Sequence, residues 1–157
     1  MSRRVVHRFA VALCAAAVTL AARPAFACWV QAGERYGVNP WLLRAIAEVE
    51  SSLNPAATNL GHYRQDGTYD IGLMQINSGL LPALSKYGIT RQDLYNPCTS
   101  IYVGAWVLRQ KINAYGNTWK AVGAYNAACT KLHGEACTDA RTTYARKVYH
   151  ALEAELR

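Results

Sequence analysis

The 157-residue sequence contains no basic run, no internal repeat and no low-complexity tract. It also contains no groove-reading motif, so its composition does not indicate a nucleic-acid partner. There is no interior linker long enough to separate two folding units, and the length suits one domain with one core. The uncharged apolar run near the N-terminus, residues 9–22, is shorter than the roughly 20 residues that a membrane-spanning helix needs. These absences favour a single domain without a membrane segment in its mature form.

The N-terminus does contain the pattern of an export signal. The first eight residues carry three arginines and no acid, the uncharged run follows, and Ala25 and Ala27 occupy the −3 and −1 positions of a cleavage site. We therefore expect residues 1–27 to be a signal peptide and residues 28–157 to be the exported domain, periplasmic or secreted. An uncleaved anchor and a lipid-modified Cys28 are the alternatives. The signal holds four of the 17 basic residues and none of the 10 acidic ones, so the domain keeps a mild positive charge that suits an anionic polymer.

Cleavage would leave four cysteines, Cys28, Cys98, Cys129 and Cys137. An even number in an exported chain predicts disulfides, and four cysteines allow three pairings. Cys129 and Cys137 bracket a short loop that contains a glycine, so a local bridge would close easily and leave Cys28 with Cys98. A zinc site is the rival interpretation, but the spacing fits no common zinc pattern. We expect neither a metal ion nor another cofactor.

The spacing of apolar residues predicts a mainly α, α+β domain. Asn-Pro pairs at 39–40 and 96–97 combine a helix N-cap with proline at the first helical position. The last helix is expected to begin near Asp139 and to turn Tyr144 and Val148 inward. The predicted helices are 40–51, 78–88, 97–116, 118–128 and the segment from 139 onward.

The only predicted β-structure is a small hairpin in the polar segment 58–70, with Asp66-Gly67 as its turn. We expect this hairpin to lie beside the helix that ends at Ser51. Four tryptophans have apolar neighbours at helical spacing and are expected in the core. They are Trp29, Trp41, Trp106 and Trp119.

Helical geometry separates the two glutamates of the 40–51 helix. Glu48 lies four residues after Arg44 on the solvated side and is interpreted as a surface charge. Glu50 lies at the border of the apolar face, one turn beyond Ile46, at the C-terminal end of the helix. Partial burial and the negative end of the helix dipole both raise the pKa of a carboxyl group there. A raised pKa is what a general acid needs near neutral pH; an edge glutamate on the surface is the alternative.

Asp70 is the candidate for a second acid, because the segment after Glu50 is long enough to fold back beside the helix end. One carboxylic acid that protonates the leaving oxygen, and one carboxylate that acts as base, nucleophile or charge stabiliser, form the pair that cleaves a glycosidic bond. The alternative for Asp70 is an Asx-type cap on the following turn. Polar, aromatic and thioether groups within apolar stretches are candidates to bind sugar, with core filling as the alternative. They are Met74, Gln75, Asn77, Tyr125 and Asn126.

Three segments resemble the signature segments of the family 1 lytic transglycosylases: ESSLNP (50–55), GLMQIN (72–77) and AYN (124–126). Their order and spacing also match, and the resemblance covers essentially all of residues 28–157. It is strongest to the small exported members that accompany type III secretion systems, type IV pili and conjugation machines. Those members also begin Cys-Trp and carry a Pro-Cys before the long helix, which supports the pairing of Cys28 with Cys98.

The resemblance implies a lysozyme-like fold and cleavage of the β-1,4 bond between N-acetylmuramic acid and N-acetylglucosamine in peptidoglycan. In that family the 6-hydroxyl of the muramic acid attacks without water and gives a 1,6-anhydro product. Glu50 falls on the single catalytic acid/base, and Met74, Gln75 and Tyr125 fall on positions that line the cleft. The implied partners are peptidoglycan glycan strands and an envelope secretion, pilus or conjugation machine, and we expect a monomer.

Two departures from the family pattern leave alternatives open. The family usually reads Ala-Tyr-Asn-Ala-Gly, whereas Ala128 replaces the glycine here and Cys129 follows, so a local disulfide loop is expected to replace the usual turn. The stretch around Asp70 is also similar to c-type lysozymes, in which this aspartate is the second catalytic carboxylate. A hydrolytic, lysozyme-type muramidase that uses Asp70 is therefore one alternative. A non-catalytic glycan-binding assembly subunit is another, and a disulfide-stapled inhibitor or toxin is disfavoured because two bridges in this length is a low density.

Overall fold

The computed structural model describes residues 24–129 and 131–157. Apart from residues 24–27, the predicted signal peptide lies outside the described residues. The helices in these ranges are α1 (Pro24–Tyr36), α2 (Pro40–Ser51), α3 (Tyr63–Asp66), α4 (Leu81–Leu84), α5 (Pro97–Tyr115), α6 (Trp119–Asn126) and α7 (Gly134–Glu155). The strands are β1 (Thr58–Asn59), β2 (Asp70–Ile71) and β3 (Ile76–Asn77). None of the described helices combines the length and hydrophobicity that a bilayer span requires.

The helices α2 and α5 begin for the reason that the sequence predicts. The side-chain oxygen of Asn39 accepts a hydrogen bond from the Trp41 amide at 2.8 Å, and that of Asn96 accepts one from the Thr99 amide at 3.2 Å. Each cap is followed by a proline, whose missing N–H would have no partner in a first turn. Local chemistry therefore fixes where both helices start.

The helix α5 lies at the centre of the domain and contacts α1, α2 and α6, while α7 packs against α2 and α6. A disulfide between Cys28 and Cys98, with Cα atoms 5.4 Å apart, joins α1 to the start of α5. The fully buried large apolar side chains come from both the helices and the sheet. They are Leu43, Ile46, Ile71, Met74, Ile76, Leu94, Ile101, Leu108 and Val148.

The β-structure is a three-stranded antiparallel sheet in the order β1-β2-β3, which extends the predicted hairpin. Its register places Asn59 opposite Asp70, and Asp70 opposite Asn77, so three polar side chains occupy one row across the sheet. The predicted turn at Asp66-Gly67 is wrong. Asp66 ends α3 and Gly67 caps it with φ of 75°, so a helical turn separates the first two strands.

The helix α1 was not predicted, because its first residues fall on the expected cleavage site. The predicted single helix over 78–88 is wrong, because the α-helical part, α4, covers only Leu81–Leu84 and lies between two short 3₁₀ helices. The helix α7 begins at Gly134 rather than near Asp139, and Glu135 in its first turn suits the positive end of the helix dipole. Trp119 is 43% exposed at the start of α6 and does not lie in the core. The mainly α class with a small sheet is nevertheless confirmed.

Candidate active site

The end of α2 turns the chain sharply just after Glu50. Ser52 and Leu53 both have left-handed backbone conformations, with φ of 51° and 59°. The Ser51 hydroxyl donates a hydrogen bond to the Leu73 carbonyl at 2.7 Å, which ties this helix end to the turn between β2 and β3. Glu50 is thereby held next to the sheet that carries Asp70.

The Glu50 carboxyl group borders a cavity of about 370 Å³ between α2, α6 and α7. Tyr144 lies on α7 and its side chain is buried. Its hydroxyl donates a hydrogen bond to Oε1 of Glu50 at 2.5 Å. The carboxyl group is thus fixed by a partner from a distant part of the chain while it still faces open space. The lining residues are Val49, Glu50, Asn126, Asp139, Ala140, Thr143, Tyr144 and Lys147.

The pKa of Glu50 is raised from its ordinary value of 4.5 to about 7, mainly because the carboxyl group is buried. The hydrogen bond from Tyr144 offsets part of this rise, the negative charge of Asp70 adds to it, and the hydrogen bond from Asn126 lowers the pKa again. Glu50 therefore exchanges a proton near neutral pH. That is the property a residue needs in order to act first as an acid and then as a base.

Asp70 is held by side chains from its own sheet. The Asn77 amide donates to Oδ1 at 2.9 Å, while the Asn59 amide and His62 Nε2 each lie 3.5 Å from Oδ2. The side chain is only 15% exposed. Two of these partners come from the neighbouring strands, and His62 precedes α3. None of them is a backbone amide of the following turn, which an Asx-type cap would require.

The turn between β2 and β3 depends on two backbone conformations. Gly72 has φ of 72°, and a Cβ atom at this position would lie 2.1 Å from the Leu94 carbonyl oxygen. Gln75 has φ of 46°, and its amide donates to the carbonyl oxygens of Gly72 at 2.8 Å and Ala57 at 3.4 Å. The Gln75 side chain therefore holds the turn and is partly exposed, but it does not line the cavity at Glu50.

The prediction that the Met74 thioether faces a sugar ring does not fit the structure. The Met74 side chain is fully buried against α5, where a Cβ atom on Gly104 would lie 2.6 Å from its Cε. Its backbone carbonyl instead accepts a hydrogen bond from the Tyr125 hydroxyl at 2.9 Å. Burial raises the pKa of the Tyr125 phenol, and the nearby negative charges of Glu50 and Asp70 also raise it.

The two candidate asparagines have different surroundings. Asn77 uses its whole amide within the protein: Nδ2 donates to Asp70 and to Thr68 Oγ1, and Oδ1 accepts from the Gly79 amide at 2.9 Å. It is therefore a support for Asp70 rather than a free sugar contact. Asn126 is exposed, lines the cavity and hydrogen-bonds Glu50.

Sequence reasoning missed Tyr144 as a member of this site. Its place in the inward stripe of the last helix was predicted, but not that its hydroxyl would meet Glu50. A tyrosine on an inward stripe carries a hydroxyl that needs a partner, and that was the available signal. Asn59 was missed because only the sheet register places it opposite Asp70, and His62 was missed because only the position of α3 beside the sheet brings it there.

The second disulfide, Cys129–Cys137, closes the loop before α7 with Cα atoms 5.6 Å apart. Lys131 in this loop lies with Nζ 3.9 Å from Asp66 Oδ2, which connects the loop to α3. Within residues 24–129 and 131–157, no three His, Cys, Asp or Glu side chains converge into a group that could hold a metal ion.

Comparisons with known proteins point in one direction. The model of the transglycosylase SLT domain matches residues 27–144. The chain is 44% identical over 123 residues to invasion protein IagB of Salmonella typhimurium, covering 78% of this chain and 72% of that protein. It is 38% identical over 130 residues to protein IpgF of Shigella flexneri, covering 82% and 84%.

A solved structure shares the fold. It is an inactive mutant of the lytic transglycosylase Slt from Pseudomonas aeruginosa, with a TM-score of 0.62 and 23% sequence identity. The match covers 80% of this chain and 23% of that chain, so the present chain corresponds to about a quarter of the larger protein.

Proposed function

The chain belongs to the transglycosylase SLT family and is a peptidoglycan lytic transglycosylase, and we propose that Glu50 is its single acid/base residue. The observation that carries this proposal is the carboxyl group itself. Its pKa is raised to about 7, it is held by the Tyr144 hydroxyl, and it borders an open cavity. Glu48, two residues earlier on the same helix, is exposed and does not line this cavity.

In the first step, protonated Glu50 gives its proton to the glycosidic oxygen. The bond between C1 of N-acetylmuramic acid and that oxygen breaks, its electron pair stays with the leaving oxygen, and positive charge develops at C1. Glu50 becomes a carboxylate. The hydrogen bonds from Tyr144 and Asn126 stabilise this anion, since both lower the pKa of Glu50.

In the second step, the Glu50 carboxylate takes the proton of the muramic acid 6-hydroxyl. The freed oxygen attacks C1 and closes the 1,6-anhydro ring, so Glu50 is protonated again and no water is consumed. A pKa near 7 suits both steps, because neither protonation state of the group is strongly disfavoured at neutral pH.

We assign Asp70 the role of stabilising the positive charge at C1. Its carboxylate acts on Glu50 electrostatically and is positioned by Asn77, which supports a place within the same site. Tyr125, fixed through the Met74 carbonyl, and Gln75 are proposed to line the cleft for the sugar rings.

The second candidate function is hydrolysis, and the placement of Asp70 favours it. A carboxylate that acts on Glu50 and accepts hydrogen bonds from neighbouring strands is arranged like the second acid of a lysozyme-type muramidase. In that case Asp70 serves as base or nucleophile, and the oxygen of a water molecule becomes bonded to C1. A glycan-binding subunit without activity is less well supported, because it gives no reason for the raised pKa of Glu50.

The products released from purified peptidoglycan distinguish these functions by mass spectrometry. We expect anhydro ends, lighter by one water than reducing ends, from the wild type, and no product from Glu50→Gln. Reducing ends from the wild type would mean that water attacks and that Asp70 is the working second carboxylate. No product from folded wild-type protein would favour the binding subunit.

We further propose that residues 28–157 act in the periplasm or outside the cell, where they open the wall locally for a secretion, pilus or conjugation machine. The export pattern of the first 27 residues supports this, as does the name of the invasion protein IagB among the relatives. Intact mass of the exported protein tests the processing, with a mature N-terminus at Cys28 as the expected result.

A further inference from the structure

We propose that His62 is a positioning residue for Asp70, and that its protonation sets how much negative charge Asp70 presents to Glu50 and to the reacting sugar. This inference rests on the proposed function in one respect, since it takes Asp70 as part of the active site. It assigns a role to a residue outside the three signature segments, in the loop between β1 and β2.

The geometry of the Asp70 carboxylate defines the place of His62. Oδ1 is taken by the Asn77 amide at 2.9 Å. Oδ2 faces His62 Nε2 at 3.5 Å and the Asn59 amide at 3.5 Å. His62 stands just before α3 and is 52% exposed, so protons from solvent reach its ring while Asp70 remains largely covered.

Two carboxylates act on this imidazole, and an ammonium group lies beside one of them. Asp70 contacts it from β2, and Asp66 on α3 interacts with it electrostatically. Lys131, from the loop closed by Cys129–Cys137, lies 3.9 Å from Asp66 and partly balances that carboxylate. The Asp70 charge also acts on Glu50.

The consequence of protonation has a definite sign. With a neutral imidazole, Asp70 keeps its negative charge, which raises the pKa of Glu50 and stabilises positive charge at C1. An imidazolium beside Oδ2 partly cancels that charge. Histidine side chains gain a proton as the pH is lowered from 8 to 5. Lowering the pH over this range should therefore reduce activity more in the wild type than in a protein without this imidazole.

The test is the pH dependence of kcat/KM for His62→Gln on purified peptidoglycan. Glutamine can still donate a hydrogen bond to Asp70 but cannot carry a positive charge. We expect the ratio of kcat/KM at pH 5.5 to that at pH 7.5 to rise about twofold to fivefold over the wild type, as for a partly exposed ion pair. An unchanged ratio would overturn the proposal.

His150→Gln is the matched control. His150 is also exposed and pairs with a carboxylate, Glu153, at 3.3 Å, but on the outer side of α7. Its replacement should leave the ratio at the wild-type value. A ratio that rises equally in both variants would contradict a specific role for His62.

A measurement that does not depend on enzymatic activity separates this inference from the proposed function. In NMR spectra of the Asp70→Asn protein, we expect the ring resonances of His62 to move from their wild-type positions, while those of His133 and His150 stay in place. Unmoved His62 resonances would show that the two groups do not interact. Activity retained by Glu50→Gln would instead defeat the proposed function and leave the NMR result standing.

Discussion

Replacing Glu50 by glutamine should make the folded protein more stable above neutral pH, although it abolishes activity. The Glu50 carboxyl group is buried and its pKa is about 7, against an ordinary value of 4.5. Between these values the folded chain binds more protons than the unfolded chain. The free energy of unfolding therefore falls as the pH rises through this range.

The size of the effect follows from the change in pKa. A rise from 4.5 to about 7 corresponds to about 3 kcal/mol, at 1.36 kcal/mol per pKa unit. Glutamine has no ionised form, and its carbonyl oxygen can still accept the hydrogen bond from Tyr144. The gain of Glu50→Gln over the wild type should therefore be near zero at pH 4.5 and about 3 kcal/mol at pH 8, equivalent to about 10 °C in Tm.

Thermal unfolding followed by circular dichroism at both pH values measures this difference, with the disulfides intact. Glu48→Gln is the matched control on the same helix, and its exposed side chain should give no comparable gain at pH 8. Equal stability of Glu50→Gln and the wild type at pH 8 would refute the reasoning, because it would mean that the Glu50 carboxylate is not desolvated in the folded protein.

Three other substitutions probe the supports of the site. Tyr144→Phe removes a hydrogen bond that favours the Glu50 anion and should therefore raise the pKa of Glu50. The alkaline limb of the pH profile of kcat/KM should move to higher pH by about one unit. A limb that stays in place or moves to lower pH would contradict that contact. Gly123→Ala places a Cβ atom 2.5 Å from the Arg141 carbonyl oxygen, where α6 crosses α7. The free energy of unfolding measured with urea should fall by about 1 to 3 kcal/mol. An unchanged free energy would refute the tight crossing. Asn39→Ala removes the N-cap of α2 and should cost about 1 kcal/mol in the same assay, whereas Asn39→Gly should cost less.

Features governed by local chemistry were predictable from the sequence. The caps at Asn39 and Asn96 fix two helix starts because the cap and its partner are neighbours in the chain. The border position of Glu50 followed from the helical period, and the exposure of Glu48 followed from the same argument. These inferences needed no knowledge of distant contacts.

Features that depend on distant packing were not predictable. The Tyr144 hydroxyl reaches Glu50 across 94 positions, and only the packing of α7 on α2 brings the two together. Met74 was a candidate for sugar binding with core filling as the alternative, and the structure shows core filling, because the glycine at position 104 opens a space on α5 that the Met74 side chain fills. His62 reaches Asp70 only once α3 and the sheet have formed.

The central claim is that Glu50 is the acid/base residue. The most direct test measures how fast Glu50→Gln and Glu48→Gln release soluble fragments from purified peptidoglycan. The account predicts that Glu48→Gln works at the wild-type rate and that Glu50→Gln falls to background, a loss of at least about 100-fold for a residue that transfers protons in both steps. Thermal unfolding of both variants shows that the comparison is made between folded proteins. Cleavage by Glu50→Gln at the wild-type rate would contradict the account.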